Sequence, residues 1–308
     1  MIKTVSVVNY LGERLDLELT APEKSGLFVQ SITGIGAGTA TVNVTNIASN
    51  DGGVFNSARA ETRNITITLG MYDYWVGDSM WSIEKSRQKT YKYFPKKKPL
   101  RLYFETDERY VYIDGYVESN EIEIFSEKEL ATISIICPDP NFYSDGSETA
   151  KVSRVVDHFE FPFSNESFTE DLVEFGRILH DVYQTILTYR GEVENGINLK
   201  FHCGGSVTNL KIYNYETGEK IEIDDTKLAL IVQNGMQEGD SIYICTIPGN
   251  KFAYLMREGT KYNIINSLGF NPNWLKVYYG DNIFAFTSDT GMSSSNLKIS
   301  CQLAYEGV

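Results

Sequence analysis

The chain has 308 residues, of which 42% are hydrophobic and 22% charged, so it is long enough for about two domains with a buried core in each. Lys and Arg number 28 against 41 Asp and Glu, which gives a net charge of −13. This balance excludes a protein whose main role is to grip nucleic acid, because such proteins need clustered positive charge. No apolar run approaches the length of a membrane helix, and residues 1–5 lack a signal-peptide pattern, so we expect a protein made in the cytosol that does not enter membranes.

Alternation of apolar and polar residues with a period of two, which marks half-buried strands, runs through the first half of the chain. The alternating apolar positions are Leu15, Leu17 and Leu19, Val42 and Val44, Ile65, Ile67 and Leu69, Val111 and Ile113, Ile122 and Ile124, and Ile133 and Ile135. Two loops interrupt them: the glycine-rich residues 33–41, and residues 50–53, where Asp-Gly predicts a turn.

One segment of the first half has helical spacing instead. Met80, Ile83, Tyr91 and Phe94 predict a helix over residues 79–94. An Asp-Ser pair at its start can cap it, and the proline after Phe94 ends it. A second segment, residues 172–186, also has helical spacing, but its β-branched and aromatic content suits strands equally well, so periodicity leaves both open.

Strand alternation returns in the second half of the chain. Its apolar positions are Ile197, Leu199 and Phe201, Ile221 and Ile223, Ile242 and Ile244, and Leu297, Ile299 and Cys301. Between the halves, residues 141–152 lose the alternation and gain Ser, Asp and Gly. The sequence therefore predicts a mainly β protein with an N-terminal domain over residues 1–145 and a C-terminal domain over residues 146–308.

The four cysteines lie in or beside apolar, strand-like stretches, at positions 137, 203, 245 and 301. Their spacing contains no Cys-x-x-Cys pair, so neither a zinc site nor a disulfide framework is expected. We expect four buried free thiols that act as small hydrophobic side chains.

Catalytic and cofactor motifs are not found in the sequence. The stretch from Gly34 to Thr39 is rich in glycine, but it lacks the lysine of a phosphate-binding loop and is followed by a strand pattern. We therefore expect no enzyme activity, no cofactor and no metal. The rings of Trp274, Tyr278 and Tyr279 raise the possibility of sugar stacking, although rings in such a place more often belong to a small core cluster.

Residues 34–142 resemble the N-terminal domain of siphophage distal tail proteins. The matching features are, in order, an Arg-x-Ile-x-Ile strand at residues 63–67, the helix start at residues 83–87, Tyr-Lys-Tyr-Phe-Pro-Lys-Lys-Lys-Pro-Leu at residues 91–100, Asp-Gly-Tyr-Val-Glu at residues 114–118 and Cys-Pro-Asp-Pro-Asn-Phe at residues 137–142. The second half resembles the galectin-like C-terminal β-sandwich of the same family, in its segments at residues 192–197, 214–219, 238–242, 274–275 and 279–282. The resemblance favours strands over a helix for residues 172–186.

The resemblance implies a structural virion protein at the tail tip, assembled in the cytoplasm of the bacterial host. Six copies are expected to form a ring that joins the tail tube to the baseplate and continues the DNA channel. Its expected partners are the tail tube protein and a tail-associated lysin or receptor-binding protein, with no specific nucleic-acid binding and no membrane contact. The alternative is a carbohydrate-binding module for host cell-surface polysaccharide.

Residues 34–55 are expected to be a projecting arm, whose strand over residues 39–45 adds to the sheet edge of a neighbouring subunit. The alternative is an internal hairpin between that strand and the strand at residues 63–69. The interface residues expected on this basis are Gly34, Gly36, Gly38, Val42, Val44, Asn46, Phe55, Trp81 and Tyr91.

Overall fold

The computed structural model describes residues 1–47, 51–71, 74–76, 79–123, 129–152, 154–156, 177–179, 184–269, 273–292 and 295–308. The chain forms two compact units, the first made of Met1–Asp145 with Ala304–Val308 and the second of Gly146–Leu303. The sequence-based boundary assigns everything after residue 145 to the second domain, whereas the structure places the segment Ala304–Val308 with the first unit.

The first unit is built from antiparallel strands. Their bounds are β1 (Ile2–Val8), β2 (Arg14–Glu18), β3 (Leu27–Thr33), β4 (Ala40–Asn46), β5 (Gly53–Ala60), β6 (Arg63–Met71), β7 (Tyr74–Val76), β8 (Ser79–Trp81), β9 (Pro99–Thr106), β10 (Tyr110–Ile122), β11 (Leu130–Cys137) and β12 (Phe142–Val152), with a 3₁₀ turn at Pro22–Lys24 and helix α1 at Ile83–Tyr93. From Gly146 onward, β12 belongs to the second unit. The strands pair in the order β2-β1-β9-β10, and β10 continues through β11 and β6 to β3.

The core of the first unit follows from the alternation in the sequence. Leu15 and Leu17 of β2, Ile65 and Ile67 of β6, and Ile133 of β11 are all buried, while the residues between them face outward or are only partly covered. Because successive side chains of a strand point to opposite faces, one apolar face of each strand lines a common core. The prediction of a mainly β fold is confirmed.

Helix α1 is shorter than the sequence predicts. It begins at Ile83, and the hydroxyl of Ser82 caps it by accepting the backbone N–H of Lys85 at 3.4 Å. Met80 lies in β8, which pairs with β7, so its backbone is extended and the predicted start at residue 79 is wrong. Asp78, the other capping residue considered, lies outside the described residues. At the end of α1, Phe94 is buried in the core as its helical spacing predicts.

The second unit is also made of antiparallel strands. Their bounds are β13 (Arg154–Val156), β14 (Arg177–Leu179), β15 (Gln184–Tyr189), β16 (Asn195–Gly196), β17 (Asn198–His202), β18 (Lys211–Asn214), β19 (Lys220–Glu222), β20 (Ser241–Cys245), β21 (Phe252–Arg257), β22 (Thr260–Asn263), β23 (Lys276–Val277), β24 (Gly280–Thr287) and β25 (Asn296–Tyr305), with helix α2 at Asp225–Ala229 and a 3₁₀ turn at Ile265–Ser267. The described parts of residues 172–186 are strands, and residues 172–176 and 180–183 lie outside the described residues.

Two sheets of the second unit face each other as a β-sandwich. One has the order β25-β17-β20-β21-β22, and the other has the order β15-β24-β18-β19. Phe201 of the first sheet meets Phe286 of the second edge to face, with 5.1 Å between the ring centroids. Such an arrangement is favourable for aromatic pairs, and it joins the inner faces of both sheets into one core.

All four cysteines are buried and free, at or beside strands as predicted. Burial raises the pKa of the Cys137, Cys203 and Cys301 thiols to about 12, because a thiolate loses its hydration in an apolar surrounding. Only the thiolate reacts rapidly with alkylating agents.

We therefore expect the native protein to resist iodoacetamide at pH 8.5, and the same protein in urea to take up four labels, as counted by intact mass. Rapid labelling of Cys137, Cys203 or Cys301 in the native state would show that the thiol is accessible and would contradict the assignment.

A buried ion pair connects a loop of the second unit to one of its strands. Arg257 donates to both carboxylate oxygens of Asp240, at 2.9 and 2.6 Å, and Asp240 is only 1% exposed. Asp240 also accepts the backbone N–H of Gln237 at 2.8 Å, and Arg257 donates to the carbonyl of Gln233 at 2.8 Å. The pair thus fastens the loop over residues 233–240 to strand β21.

Replacing one partner of a buried ion pair leaves the other charge without compensation, which costs about 3–5 kcal/mol. We expect Asp240→Ala to lower the free energy of unfolding by this amount in urea titrations. The control is Glu194→Ala, which breaks the exposed pair of Glu194 with Lys276 and is expected to cost less than about 1 kcal/mol. Equal effects of the two substitutions would contradict the role given to Asp240.

Candidate subunit interface

Strands β4 and β5 form a two-stranded antiparallel hairpin in which every described side chain is exposed; we call residues 40–60 the arm hairpin. The internal hairpin between β4 and the strand at residues 63–69 is wrong in its partner, because β4 pairs with β5 while β6 pairs with β3 and β11. The projecting arm stays a prediction, now with a two-stranded hairpin in place of a single strand. The reason is that residues 53–60, whose mixed composition predicts no strand, form the second strand of the hairpin. Gly52 directly precedes this second strand, and its φ of +88° favours glycine.

One face of the arm hairpin is apolar. Residues opposite each other in an antiparallel pair share a face, and Val42 pairs with Ala58 while Val44 pairs with Phe55. Val42 is 55% exposed, Val44 53% and Phe55 63%. The apolar face comprises Ala40, Val42, Val44, Phe55, Ala58 and Ala60, and at its tip Asn46 pairs with Gly53. A two-stranded hairpin that leaves such a face in water lacks the packing that normally stabilises strands.

The opposite face of the arm hairpin is polar and hydrogen-bonded. Asn43 donates to the hydroxyl of Ser57 at 3.0 Å, and Asn56 donates to the hydroxyl of Thr45 at 2.6 Å. At the base, Thr41 and Arg59 both donate to Glu61, and the Thr41 hydrogen bond, followed by the charge of Arg59, lowers the pKa of that carboxyl. These bonds order the hairpin while its apolar face stays uncovered.

The arm hairpin is anchored at its base by Arg63, a residue that is only 6% exposed. Its guanidinium donates to four backbone carbonyls, those of Gly34, Gly36, Pro140 and Glu306; the Pro140 and Glu306 bonds are 2.6 Å long and the Gly34 bond is 2.7 Å. We call this arrangement the Arg63 anchor. It ties together the loop before the hairpin, the strand after it, the connection between β11 and β12, and the segment Ala304–Val308.

Glycines are required where the loop passes the Arg63 anchor. Gly34 has a φ of +82°, and a Cβ at this position would overlap the backbone carbonyl of Asn64. A Cβ at Gly38 would lie 3.2 Å from the guanidinium. The loop can therefore approach Arg63 closely only with glycine at these positions, which explains the glycine-rich stretch that the sequence shows.

The guanidinium of Arg63 also packs against an aromatic ring. The guanidinium carbon lies 4.8 Å from the ring centroid of Phe142, which is fully buried and meets Phe104 edge to face. Burial lowers the pKa of Arg63, but an arginine stays protonated in a protein, so the charge is held by the four carbonyl dipoles and the ring.

The structure separates the predicted interface residues into two groups and two single positions. Gly34, Gly36 and Gly38 line the Arg63 anchor, while Val42, Val44, Asn46 and Phe55 belong to the arm hairpin. Tyr91 lies on α1 and is 49% exposed, and Trp81 ends β8. Sequence analysis did not select Arg63 as a site residue. The available signal is that Arg63 shares an inward face with Ile65, Ile67 and Leu69, where an arginine needs buried acceptors.

The three rings considered for sugar stacking occupy different environments. Trp274 packs against the core of the second unit, with the Lys251 ammonium 4.8 Å from its ring centroid. Tyr278 donates its hydroxyl to Glu219 at 3.0 Å, and burial, followed by this bond, raises its pKa to about 12. Tyr279 is 81% exposed.

Within the described residues, no three His, Cys, Asp or Glu side chains are grouped so that they could share a metal ion. The same part of the chain contains no helix long and apolar enough to span a membrane.

No protein-family model matches the sequence, and no curated protein sequence matches it. Among solved structures, the chain is similar to the SPP1 Dit (gp 19.1) protein, described as a paradigm of the hub adsorption apparatus in Gram-positive infecting phages. The TM-score is 0.60 and the sequence identity 12%, and the alignment covers 97% of this chain and 99% of that one. Chains of the phage p2 baseplate in its activated conformation with Ca and with Sr are 14% and 13% identical, each with a TM-score of 0.47; 97% of this chain aligns with 98% and 97% of theirs. The chain thus has the fold of a phage tail-hub protein, and the resemblance seen in the motifs is confirmed at the level of the fold.

If the Arg63 anchor holds the base of the hairpin, Arg63→Met should leave four carbonyls without their donor. Hydrogen bonds to a charged group contribute about 1.5–3 kcal/mol each, so we expect the free energy of unfolding to fall by at least about 3 kcal/mol. Amide exchange should also become faster in residues 34–38 and 304–308.

Arg59→Met serves as the control, because Arg59 has a 76% exposed side chain in the same hairpin and its loss should cost less than about 1 kcal/mol. Indistinguishable urea midpoints and exchange rates for the two variants would rule out the anchor.

Proposed function

We propose that this protein is a structural component of a siphophage virion. Six copies form a ring at the distal end of the tail, where the ring joins the tail tube to the baseplate and continues the DNA channel. The observation that carries this proposal is the exposed apolar face of the arm hairpin, held on a fixed base in a chain with a tail-hub fold.

Assembly supplies what the arm hairpin lacks within its own subunit. Val42, Val44 and Phe55 each leave more than half of their surface in water. Covering the remaining half of a Val or Phe side chain stabilises a complex by about 1 kcal/mol. When every copy inserts one arm and receives one, this gain is repeated at each contact between subunits.

The geometry of such a contact favours a ring. An arm on one side of a subunit and its acceptor on another side make a head-to-tail interface, which either closes into a ring or continues as a filament. The free edges of β4 and β5 carry unpaired backbone groups that can extend the sheet of a neighbour. The rigid base at the Arg63 anchor fixes the direction of the arm, which lowers the ordering cost of assembly.

The ring has a protein partner on each side and DNA passing through its channel. The tail tube protein on one side and a tail-associated lysin or receptor-binding protein on the other are the proposed partners, with assembly in the host cytoplasm. A chain with a net charge of −13 suits a conduit, since DNA is repelled by an acidic wall rather than retained. The role requires no catalytic chemistry.

The two exposed valines of the arm hairpin provide a matched test. Val44 is 53% exposed on the apolar face, and Val54 is 51% exposed on the polar face, where it pairs with Thr45. We expect Val44→Asp to abolish the hexamer, because it puts a charge into the buried contact, and Val54→Asp to leave it intact. Mass photometry and light scattering after gel filtration measure both, with thermal melting to show that each variant is folded.

A wild-type protein that stays monomeric at tens of micromolar would count against ring formation by this chain. Loss of the hexamer in both valine variants, or in neither, would show that the apolar face is not the contact.

A further inference from the structure

The outer face of one sheet in the second unit carries positive charge on an acidic protein. The sheet has the order β25-β17-β20-β21-β22, and its inner side chains fill the sandwich core. Its outward positions are Asn296, Lys298, Ser300, Asn198, Lys200, His202, Ser241, Tyr243, the buried Cys245, Phe252, Tyr254, Met256, Lys261 and Asn263. We call this surface the lysine face. None of these positions holds Asp or Glu, although the chain has 41 acidic residues.

The lysines of this face have no carboxylate partner among the described residues. Lys200, Lys261 and Lys298 are exposed, and none forms an ion pair with a carboxylate in the part of the chain that the structure describes. Other lysines of the same unit are paired: Lys211 with Glu222, and Lys227 with Asp224. Three lysines without a described carboxylate partner thus stand together on one face, while several other lysines of the unit are paired.

Two of these lysines repel each other. Lys200 and Lys298 stand directly opposite on neighbouring strands, a position in which like charges destabilise a sheet. An anion bound between them would remove this repulsion. The arrangement therefore gives the face a preference for a negatively charged ligand over water.

Aromatic rings lie between the charges. Tyr243 stacks on Tyr254 with 4.8 Å between centroids and 16° between planes, and Phe252 stacks on Tyr254 at 5.5 Å. The ammonium groups of Lys200 and Lys261 lie 5.3 Å from the Tyr243 centroid and 3.9 Å from the Tyr254 centroid. These cation–π contacts hold the ammonium groups near the rings, which lowers the entropy lost when a ligand binds.

The polar groups of the lysine face select among anions. The hydroxyls of Tyr243 and Tyr254 have no hydrogen-bond partner among the described residues, and Asn198 and Asn263 are exposed beside them. The Asn263 Oδ1 accepts the backbone N–H of Ile265 at 3.1 Å, so Asn263 offers its amide N–H groups to a ligand. Hydroxyl and amide groups bind sugar hydroxyls, whereas the packed centre of a protein–protein contact is depleted in lysine and rich in apolar surface. The composition therefore fits a hydroxylated polyanion better than an acidic protein surface.

We propose that the lysine face binds an anionic polysaccharide, a polymer of sugars or polyols that carries phosphate or carboxylate groups. Ammonium groups contact the anions, and the tyrosine hydroxyls and asparagine amides contact the sugar hydroxyls. This site is separate from Trp274, Tyr278 and Tyr279, and it does not depend on ring formation.

The test measures binding of the full chain to a glycosylated poly(glycerol phosphate) by thermophoresis. Thermal melting shows whether the wild type and each variant are folded. Lys200→Gln with Lys298→Gln removes two contacts and also the repulsion between them, so this variant should melt no lower than the wild type. Its affinity for the polymer should fall about tenfold, and wild-type binding should weaken when NaCl rises from about 50 to 200 mM.

The control variant Lys211→Gln with Lys227→Gln makes the same change in net charge among ion-paired lysines, and it should keep affinity within about twofold. Tyr243→Phe with Tyr254→Phe should weaken binding of the glycosylated polymer while leaving binding of unglycosylated poly(glycerol phosphate) unchanged.

Three results would overturn the proposal. The first is a wild-type protein that does not bind the polymer at low salt, and the second is equal loss of affinity in the two lysine variants. The third is binding of poly-L-glutamate or of single-stranded oligothymidine as tight as binding of the glycopolymer, which would assign the face to an acidic protein or to nucleic acid. None of these results bears on the valine variants of the arm hairpin, so the two proposals fail independently.

Discussion

The guanidinium of Arg63 joins four backbone segments of the first unit by donating to one carbonyl in each of them. A buried cation is tolerated only when its hydrogen bonds are satisfied, so the four carbonyls and the ring of Phe142 determine one arrangement of the surrounding loops. This contact holds the glycine loop, the connection between β11 and β12, and the segment Ala304–Val308 together. The position and direction of the arm hairpin depend on it in turn.

A fixed base explains how a hairpin without packing partners can remain ordered. The polar face of the arm hairpin forms its own hydrogen bonds, and the base is held by the anchor, so the apolar face is free for an external contact. Flexible arms lose conformational entropy on assembly, and a pre-ordered arm loses less. The same reasoning accounts for the requirement for glycine beside Arg63, where a side chain would separate the loop from its anchor.

Charge is distributed unevenly over the second unit. Many of its basic side chains are neutralised by nearby carboxylates, and one of these pairs, Asp240 with Arg257, is buried and structural. The lysine face differs, since its Lys200 and Lys261 ammonium groups lie against tyrosine rings and its lysines have no carboxylate partner among the described residues. Exposed ion pairs contribute little to stability, so leaving these lysines unpaired costs little and keeps their charge available.

The sequence by itself determined that the chain is mainly β and which residues of its alternating strands face inward, because a period of two in hydrophobicity is a local property of the chain. It also determined that the cysteines are buried and that α1 ends beside Phe94. Only the tertiary structure decided that β4 pairs with β5, since the mixed composition of residues 53–60 carries no periodic signal. It also showed that residues 79–81 pair with β7 instead of starting the helix. The Arg63 anchor joins residues separated by as many as 243 positions, and no local pattern can indicate which carbonyls will meet one guanidinium. The lysine face likewise arises from strand order, which places Lys200 beside Lys298 although the chain separates them widely.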